Sequence, residues 1–174
     1  ETQPIHKQKN NNIYVSTGLN KDESVVIFKK IAEIAHHYPE HKFIMPIANK
    51  YNSMGGRKNK NIYLVEYVPE LRSKLTECAA YITYGGYNAT VEILKSKVPA
   101  IVIPRQSGRK MEQFVRAFTF EPYDFFKVLT MQEFGGIKLV LDQLISGYSP
   151  KPFTYNLQGT SNTADILSEI YNEL

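Results

Sequence analysis

The chain has 174 residues, 43% of them hydrophobic and 22% charged, which is enough for one domain with a proper core and too short for two comfortable ones. Its formal net charge of +4 and isoelectric point near 9.0 favour anionic partners, but the basic residues sit in short scattered clusters (7–9, 57–60 and 105–110) with no nucleic-acid motif, so nucleic acid is not an expected partner. No apolar run approaches the length of a membrane span, and a single cysteine, Cys78, excludes an internal disulfide and points to a reducing compartment.

Residues 1–12 are polar and Asn-rich and read as a linker or tail, followed by a single domain over 13–174. A start at Glu1 in place of Met, with no signal-peptide apolar region, suggests a piece of a longer cytoplasmic protein. Ile13 to Thr17 is a first buried strand. Ile27, Phe28, Ile31, Ile34, Ala35 and Tyr38 recur at helical spacing, so a helix capped near Asn20 or Asp22 follows and ends at Pro39. Residues 42–46 form a second strand and 61–65 a third. Pro69 then opens a helix in which Leu71, Leu75, Cys78 and Ala79 face one way, with Cys78 a buried structural thiol.

From there the alternation is strict. Ala80 to Thr83 is a strand, a helix beginning at Asn88 or Ala89 runs to Ser96, and Ala100 to Ile103 is the next strand. A polar loop at 105–110 precedes a helix over 111–120, a short strand at 127–129, a helix over 132–145 interrupted by Gly135 and Gly136, and a last helix over 162–174 that buries Ile166, Leu167 and Ile170. Repeated βαβ units predict an α/β fold: a doubly wound parallel sheet in three layers, Rossmann-like, with helices on both faces. In such a sheet the ligand crevice lies beyond the carboxyl ends of the strands. The loops after Ser16 (including Gly18), after Tyr84 and after Pro104 share that edge, and Tyr67 and Val68 add a fourth contribution.

The most informative segment is Tyr84-Gly-Gly-Tyr-Asn-Ala-Thr-Val-Glu92. Gly85 and Gly86 let the backbone turn sharply and approach a ligand, and the helix that follows offers unpaired N–H groups and the positive end of its dipole to a diphosphate. Asn88, Ala89 and Thr90 belong to that turn. Glu92 lies one turn further in, roughly 6 Å along the axis, close to the step from phosphate to ribose hydroxyls. A plain strand-to-helix turn with a dipole-compensating Glu is the alternative. With Asn88 as N-cap, however, a capping box would need its Glu at position 91, which is Val91, so Glu92 is one residue too late for that task. Arg105, Arg109, Glu112 and Gln113 at the next loop could neutralise phosphate and meet sugar hydroxyls, or simply be solvated. His36, His37 and His41 lack metal-ligand spacing because Pro39 breaks the helix between them, so no metal is expected.

The stretch from Gly85 through Val98-Pro-Ala-Ile-Val-Ile-Pro104, continuing to Glu112-Gln-Phe-Val-Arg-Ala117, resembles the C-terminal domain of GT-B glycosyltransferases of family 28. The bacterial enzyme that makes lipid II belongs to that family, and the similarity is greatest to a set of predicted bacterial glycosyltransferases. The resemblance implies that Glu92 binds the ribose hydroxyls of a nucleotide-sugar donor and that the Gly85 to Thr90 turn holds its diphosphate. It places Glu112 and Gln113 at the donor sugar, and Tyr67 and Val68 at the base; Arg105 and Arg109 are additions from the residues themselves.

A UDP-sugar is then the expected substrate, no cofactor is needed, and transfer of a hexosyl or N-acetylhexosaminyl group to a lipid or polysaccharide acceptor is the implied reaction. The catalytic residue is not in this chain: the base is expected on an N-terminal acceptor-binding domain or a separate acceptor subunit. Peripheral attachment to the inner face of the membrane is compatible with this reading. The alternatives are a non-catalytic donor-binding subunit of a two-chain transferase, a nucleotide-sugar 2-epimerase-like domain (whose Gly-Gly-x-Gln-Glu-Glu signature is absent), and a flavodoxin-like phospholigand module.

Overall fold

The computed structural model describes residues 10–17, 21–46, 59–105, 111–147 and 159–172. Six parallel strands form one sheet in the order β3-β2-β1-β4-β5-β6. They are β1 (Asn12–Ser16), β2 (Lys42–Pro46), β3 (Ile62–Val65), β4 (Ala80–Thr83), β5 (Ala100–Val102) and β6 (Phe126–Val128). The helices are α1 (Lys21–Ile34), α2 (Leu71–Leu75), α3 (Tyr87–Ser96), α4 (Met111–Phe120), α5 (Ile137–Ile145) and α6 (Gly159–Asn172). All four residues of β4 and all three of β5 are buried, as expected for parallel strands covered on both faces.

Alternating side chains divide the core in two. Ile13, Val15, Phe43, Met45, Ile82 and Ile101 point to one face, where α1 contributes Ile27 and Ile31 and α5 contributes Ile137 and Leu141. Tyr14, Tyr81, Ala100, Val102 and Phe126 point to the other, where they meet Leu75 of α2, Ile93 and Leu94 of α3, and Ala117 of α4. Each large apolar side chain so buried contributes about 1.5–3 kcal/mol. The strand order reverses between β1 and β4, because the chain winds outward to β3 on one side and to β6 on the other. That reversal opens a crevice at the carboxyl ends of β1 and β4.

Several boundaries differ from the sequence reading, each for a local reason. The helix after Pro69 is only Leu71–Leu75: Glu70 takes a left-handed φ of 50° before it, and Thr76 closes it, its N–H donating to the Ser73 carbonyl at 3.2 Å. Cys78 and Ala79 therefore follow the helix, and Ala79 packs on the opposite face of the sheet from Cys78. The segment 132–145 is not one interrupted helix. Thr130 and Glu133 form a reciprocal capping box, with the Thr130 N–H donating to Glu133 Oε2 at 3.2 Å and the Glu133 N–H donating to Thr130 Oγ1 at 3.3 Å. A single 3-10 turn over Phe134–Gly136 follows, and α5 starts at Ile137. In α6, Ile166, Leu167 and Ile170 are 55%, 61% and 52% exposed, so they are not core; no described element covers that face. The strand β6 begins one residue earlier than its apolar pattern suggests, with Phe126 filling the second cluster.

Two small polar devices lie at the amino edge of the sheet. Asn61 Nδ2 donates to the carbonyls of Ala35, Tyr38 and His41 at 2.9, 3.0 and 3.1 Å, tying the end of α1 to the entry of β2. Cys78 is fully buried, its thiol donating weakly to the carbonyls of Leu75 and Ala80, and burial pushes it up to about 12. Among the described residues no helix is long and apolar enough to cross a membrane.

Asn61→Ala strips three carbonyls of one donor group and should lower unfolding free energy by about 1–3 kcal/mol in a urea titration. Cys78 should be inert to a thiol-specific disulfide reagent at neutral pH in the folded chain and react once denaturant is added; rapid labelling of the native protein would contradict its burial.

Candidate functional site

The turn after β4 sets where α3 begins at the carboxyl edge. Gly85 has a φ of +65°, and a Cβ built on it would lie 2.3 Å from Val102 Cγ1 in the neighbouring strand. Only glycine fits on both counts. Gly86 then acts as the N-cap of α3, with φ −57° and ψ 160°, and a Cβ there would meet nothing within 4 Å. The helix starts at Tyr87, one residue before the earlier of the two starts read from the sequence.

No side chain caps α3, so the first amides of the helix face the crevice without a side-chain acceptor. With Gly86 as N-cap the capping-box position becomes Ala89, so Glu92 still has no capping role. Thr90 is buried, and its hydroxyl reaches back to the Gly85 carbonyl at 3.3 Å while its N–H bonds the Gly86 carbonyl at 2.9 Å. Thr90 thus braces the turn from inside, whereas Asn88 is exposed at its outer surface and Ala89 packs on the second core cluster.

Glu92 lies about 7.5 Å along the axis from the first helical residue. Its side chain is 28% exposed, and its Oε2 pairs with Nε of Arg72 on α2 at 3.2 Å. Beneath the same edge, the Tyr81 hydroxyl is hydrogen-bonded to Ser16 Oγ across the β1/β4 junction, and Ser16 Oγ donates to Thr83 Oγ1 at 3.3 Å. Burial raises the Tyr81 phenol above the usual tyrosine range; the Ser16 and Thr83 hydrogen bonds act against this, and the negative charge of Glu92 acts with it. The floor of the crevice is therefore a satisfied, neutral hydroxyl cluster.

On the β5 side, the Arg105 guanidinium stacks over the Tyr84 ring with 4.7 Å to its centroid. Glu112 in the first turn of α4 forms an ion pair with Arg116, whose guanidinium also lies 5.2 Å from the exposed Tyr87 ring. Gln113 is half-buried, and its Oε1 is a buried acceptor with no hydrogen-bond donor among the described residues. Tyr67 is 70% exposed after β3, while Val68 packs against the second cluster. Gly18 and Arg109 lie outside the described residues. Among the described residues no group of three His, Cys, Asp or Glu side chains is arranged to hold a metal ion. The structure thus brings Gly85, Gly86, Asn88, Glu92, Arg105, Glu112 and Gln113 to one edge. It adds Arg72, Ser16, Tyr81 and Thr83, none of which the sequence motif marks, since their partners are distant in the chain.

Residues 2–140 match the model of the glycosyltransferase family 28 C-terminal domain. The chain belongs to that family. No curated protein sequence matches it. Among solved structures it is similar to MurG of Acinetobacter baumannii (TM-score 0.63, 12% identity, 92% of this chain and 50% of that one). It is similar also to a variant of Os79 from O. sativa in complex with UDP (TM-score 0.61, 14% identity, 84% and 34%). The glycotransferase of kitacinnamycin is a third (TM-score 0.60, 19% identity, 84% and 37%). These likenesses establish the GT-B type of Rossmann-like fold, and the chain spans between a third and a half of the length of each structure.

The two glycines of the turn should respond differently to substitution. Gly85→Ala forces a side chain into Val102 at a positive φ and should destabilise the chain by about 2–5 kcal/mol. Gly86→Ala has open space and ordinary dihedrals, so it should stay within about 1 kcal/mol of the parent. Thermal unfolding of both variants checks the contrast, and equal midpoints would contradict the described path of the turn.

Proposed function

We propose that this chain is the donor-binding domain of an inverting glycosyltransferase that takes a UDP-sugar and delivers its hexosyl or N-acetylhexosaminyl group to a lipid or polysaccharide acceptor. The observation that carries the reading is the uncapped amino end of α3, opening onto the β1/β4 crevice with Glu92 about one and a half turns behind it. A diphosphate over those amides gains the positive end of the helix dipole, and charge that develops on the departing diphosphate is held by the same groups. Glu92 accepts hydrogen bonds from the ribose hydroxyls. Gln113, whose Oε1 lacks a donor among the described residues, meets a hydroxyl of the donor sugar, with Glu112 beside it. Tyr67 offers an exposed aromatic face to the base, and Arg105, held by its stack on Tyr84, adds positive charge near the phosphates.

Inversion proceeds by direct displacement: the acceptor hydroxyl loses its proton to a base, its oxygen bonds the anomeric carbon, and the diphosphate leaves with the bonding electron pair. The base belongs to an acceptor-binding domain or subunit, so this chain binds donor but turns it over slowly when alone. Such a protein works in the cytoplasm or at the inner face of a membrane, where nucleotide sugars are made. The domain proper is residues 13–174, preceded by a linker.

Calorimetric titration of this chain with UDP should show binding that Glu92→Gln weakens at least about tenfold, the loss expected when a charged acceptor of two hydroxyls is replaced by an amide. Inorganic pyrophosphate, which has no ribose, should bind parent and variant alike. Undiminished UDP binding by Glu92→Gln would remove Glu92 from the ribose site, and no UDP binding by the parent would remove the donor assignment itself.

A further inference from the structure

Arg72 is not part of the family motif that frames the site, yet it is the residue that touches the key carboxylate. It sits on α2, whose Leu71 and Leu75 pack into the same cluster as Ile93 and Leu94 of α3, so the two helices are held side by side. Across that seam Arg72 Nε forms an ion pair with Glu92 Oε2 at 3.2 Å, with Arg72 66% and Glu92 28% exposed at the side chain. Only Oε2 of Glu92 is engaged in this way. A carboxylate offers about four lone-pair sites, so among the described residues Oε1 and the second lone pair of Oε2 have no donor and can take a pair of ligand hydroxyls.

We infer that Arg72 is a positioning residue that fixes the Glu92 carboxylate in the orientation able to accept both hydroxyls of the donor ribose. This rests on the reading of Glu92 given above. A lone glutamate on a helix surface samples several rotamers, and each rotamer lost on ligand binding weakens affinity. With the seam between α2 and α3 packed, Glu92 is held from one side before any ligand arrives. The pair is exposed enough to contribute little to folding, so its consequence is orientation.

The test compares two ligands on three proteins. UDP carries the ribose diol, and 2′,3′-dideoxyuridine 5′-diphosphate lacks it; each is titrated into the parent, Arg72→Gln and Arg72→Lys. Arg72→Gln should weaken UDP binding about fivefold, the scale of an exposed ion pair, and leave the dideoxy ligand unchanged. Arg72→Lys should recover part of the loss, since it restores charge but not the Nε geometry. Unchanged or tighter UDP binding by Arg72→Gln overturns the inference, the latter because it makes the arginine a competitor of ribose. So does equal weakening toward both ligands, which is what a merely structural role for α2 gives, and so does a marked fall in the thermal unfolding midpoint of Arg72→Gln. A parent that binds UDP and the dideoxy ligand equally removes the ribose role of Glu92, and with it the role of Arg72. A parent that distinguishes the ligands, loses that distinction in Glu92→Gln and keeps it in Arg72→Gln sinks only the present inference.

Discussion

The site hangs on one backbone constraint, the left-handed residue at Gly85 pressed against Val102. A strand that ends at Thr83 has to reverse into a helix that runs back along the sheet face, within three residues. Taking that turn with φ +65° and no Cβ lets the chain stay against β5, so α3 begins directly over the strand ends. Thr90 locks the turn by hydrogen-bonding the Gly85 carbonyl from inside. A wider turn would carry the amides of α3 away from the β1/β4 junction and would move Glu92 off the seam with α2. One steric fact thus sets the amides, the carboxylate and its arginine together.

The electrostatics of the edge is modest in energy and specific in direction. The helix end carries about half an elementary charge, and an exposed pair such as Arg72 with Glu92 is worth about 0–1 kcal/mol to folding. Neither term holds the domain together; the two apolar clusters on the sheet faces do that. Because the fold does not need these charges, they are free to be arranged for a ligand. The hydroxyl cluster of Ser16, Tyr81 and Thr83 underneath is of the opposite kind, half-buried at Ser16, buried at Tyr81 and Thr83 and mutually satisfied, and provides a floor without net charge. A rim of paired charges around the amino end of α3, over a neutral floor, suits a ligand that brings both phosphates and hydroxyls.

The alternation of strands and helices was legible in the sequence because parallel strands buried on both faces write themselves as apolar runs, as in Ala80 to Thr83 and Ala100 to Ile103. The sharp turn after Thr83 was legible because a glycine pair at a strand end marks a place where the backbone can take a positive φ. The seam between α2 and α3 was not. Its pattern of Leu71 and Leu75 says that α2 packs, but the pairing of Arg72 with a residue twenty positions later depends on which exposed side chains the packing brings level. The 3-10 turn at Phe134–Gly136 was obscured by its glycines, although Thr130 and Glu133 carried a capping-box signal at the right spacing. The apolar residues of α6 follow a helical period as faithfully as those of α1; period alone records amphipathicity, and a partner surface within the described chain is what α6 lacks.

The distribution of titratable groups explains why, on the proposed reading, half of the chemistry lies elsewhere. The three described histidines, His36, His37 and His41, all lie at the entry to β2, on the amino edge of the sheet and so at the far end from the crevice. At the carboxyl edge Glu92 is assigned to ribose, and in a nucleotide diphosphate sugar two phosphorus atoms separate the ribose from the anomeric carbon. A residue that grips the ribose is therefore out of reach of the acceptor hydroxyl that attacks that carbon. Glu112, assigned to the donor sugar on the same reading, is engaged by Arg116 on its own helix. The groups gathered here can hold the leaving diphosphate and orient its sugar, while deprotonation of the nucleophile has to come from the face of the sugar opposite the diphosphate. In-line displacement puts those two tasks on opposite sides of the anomeric carbon, and a crevice built on one sheet edge can serve only one of them.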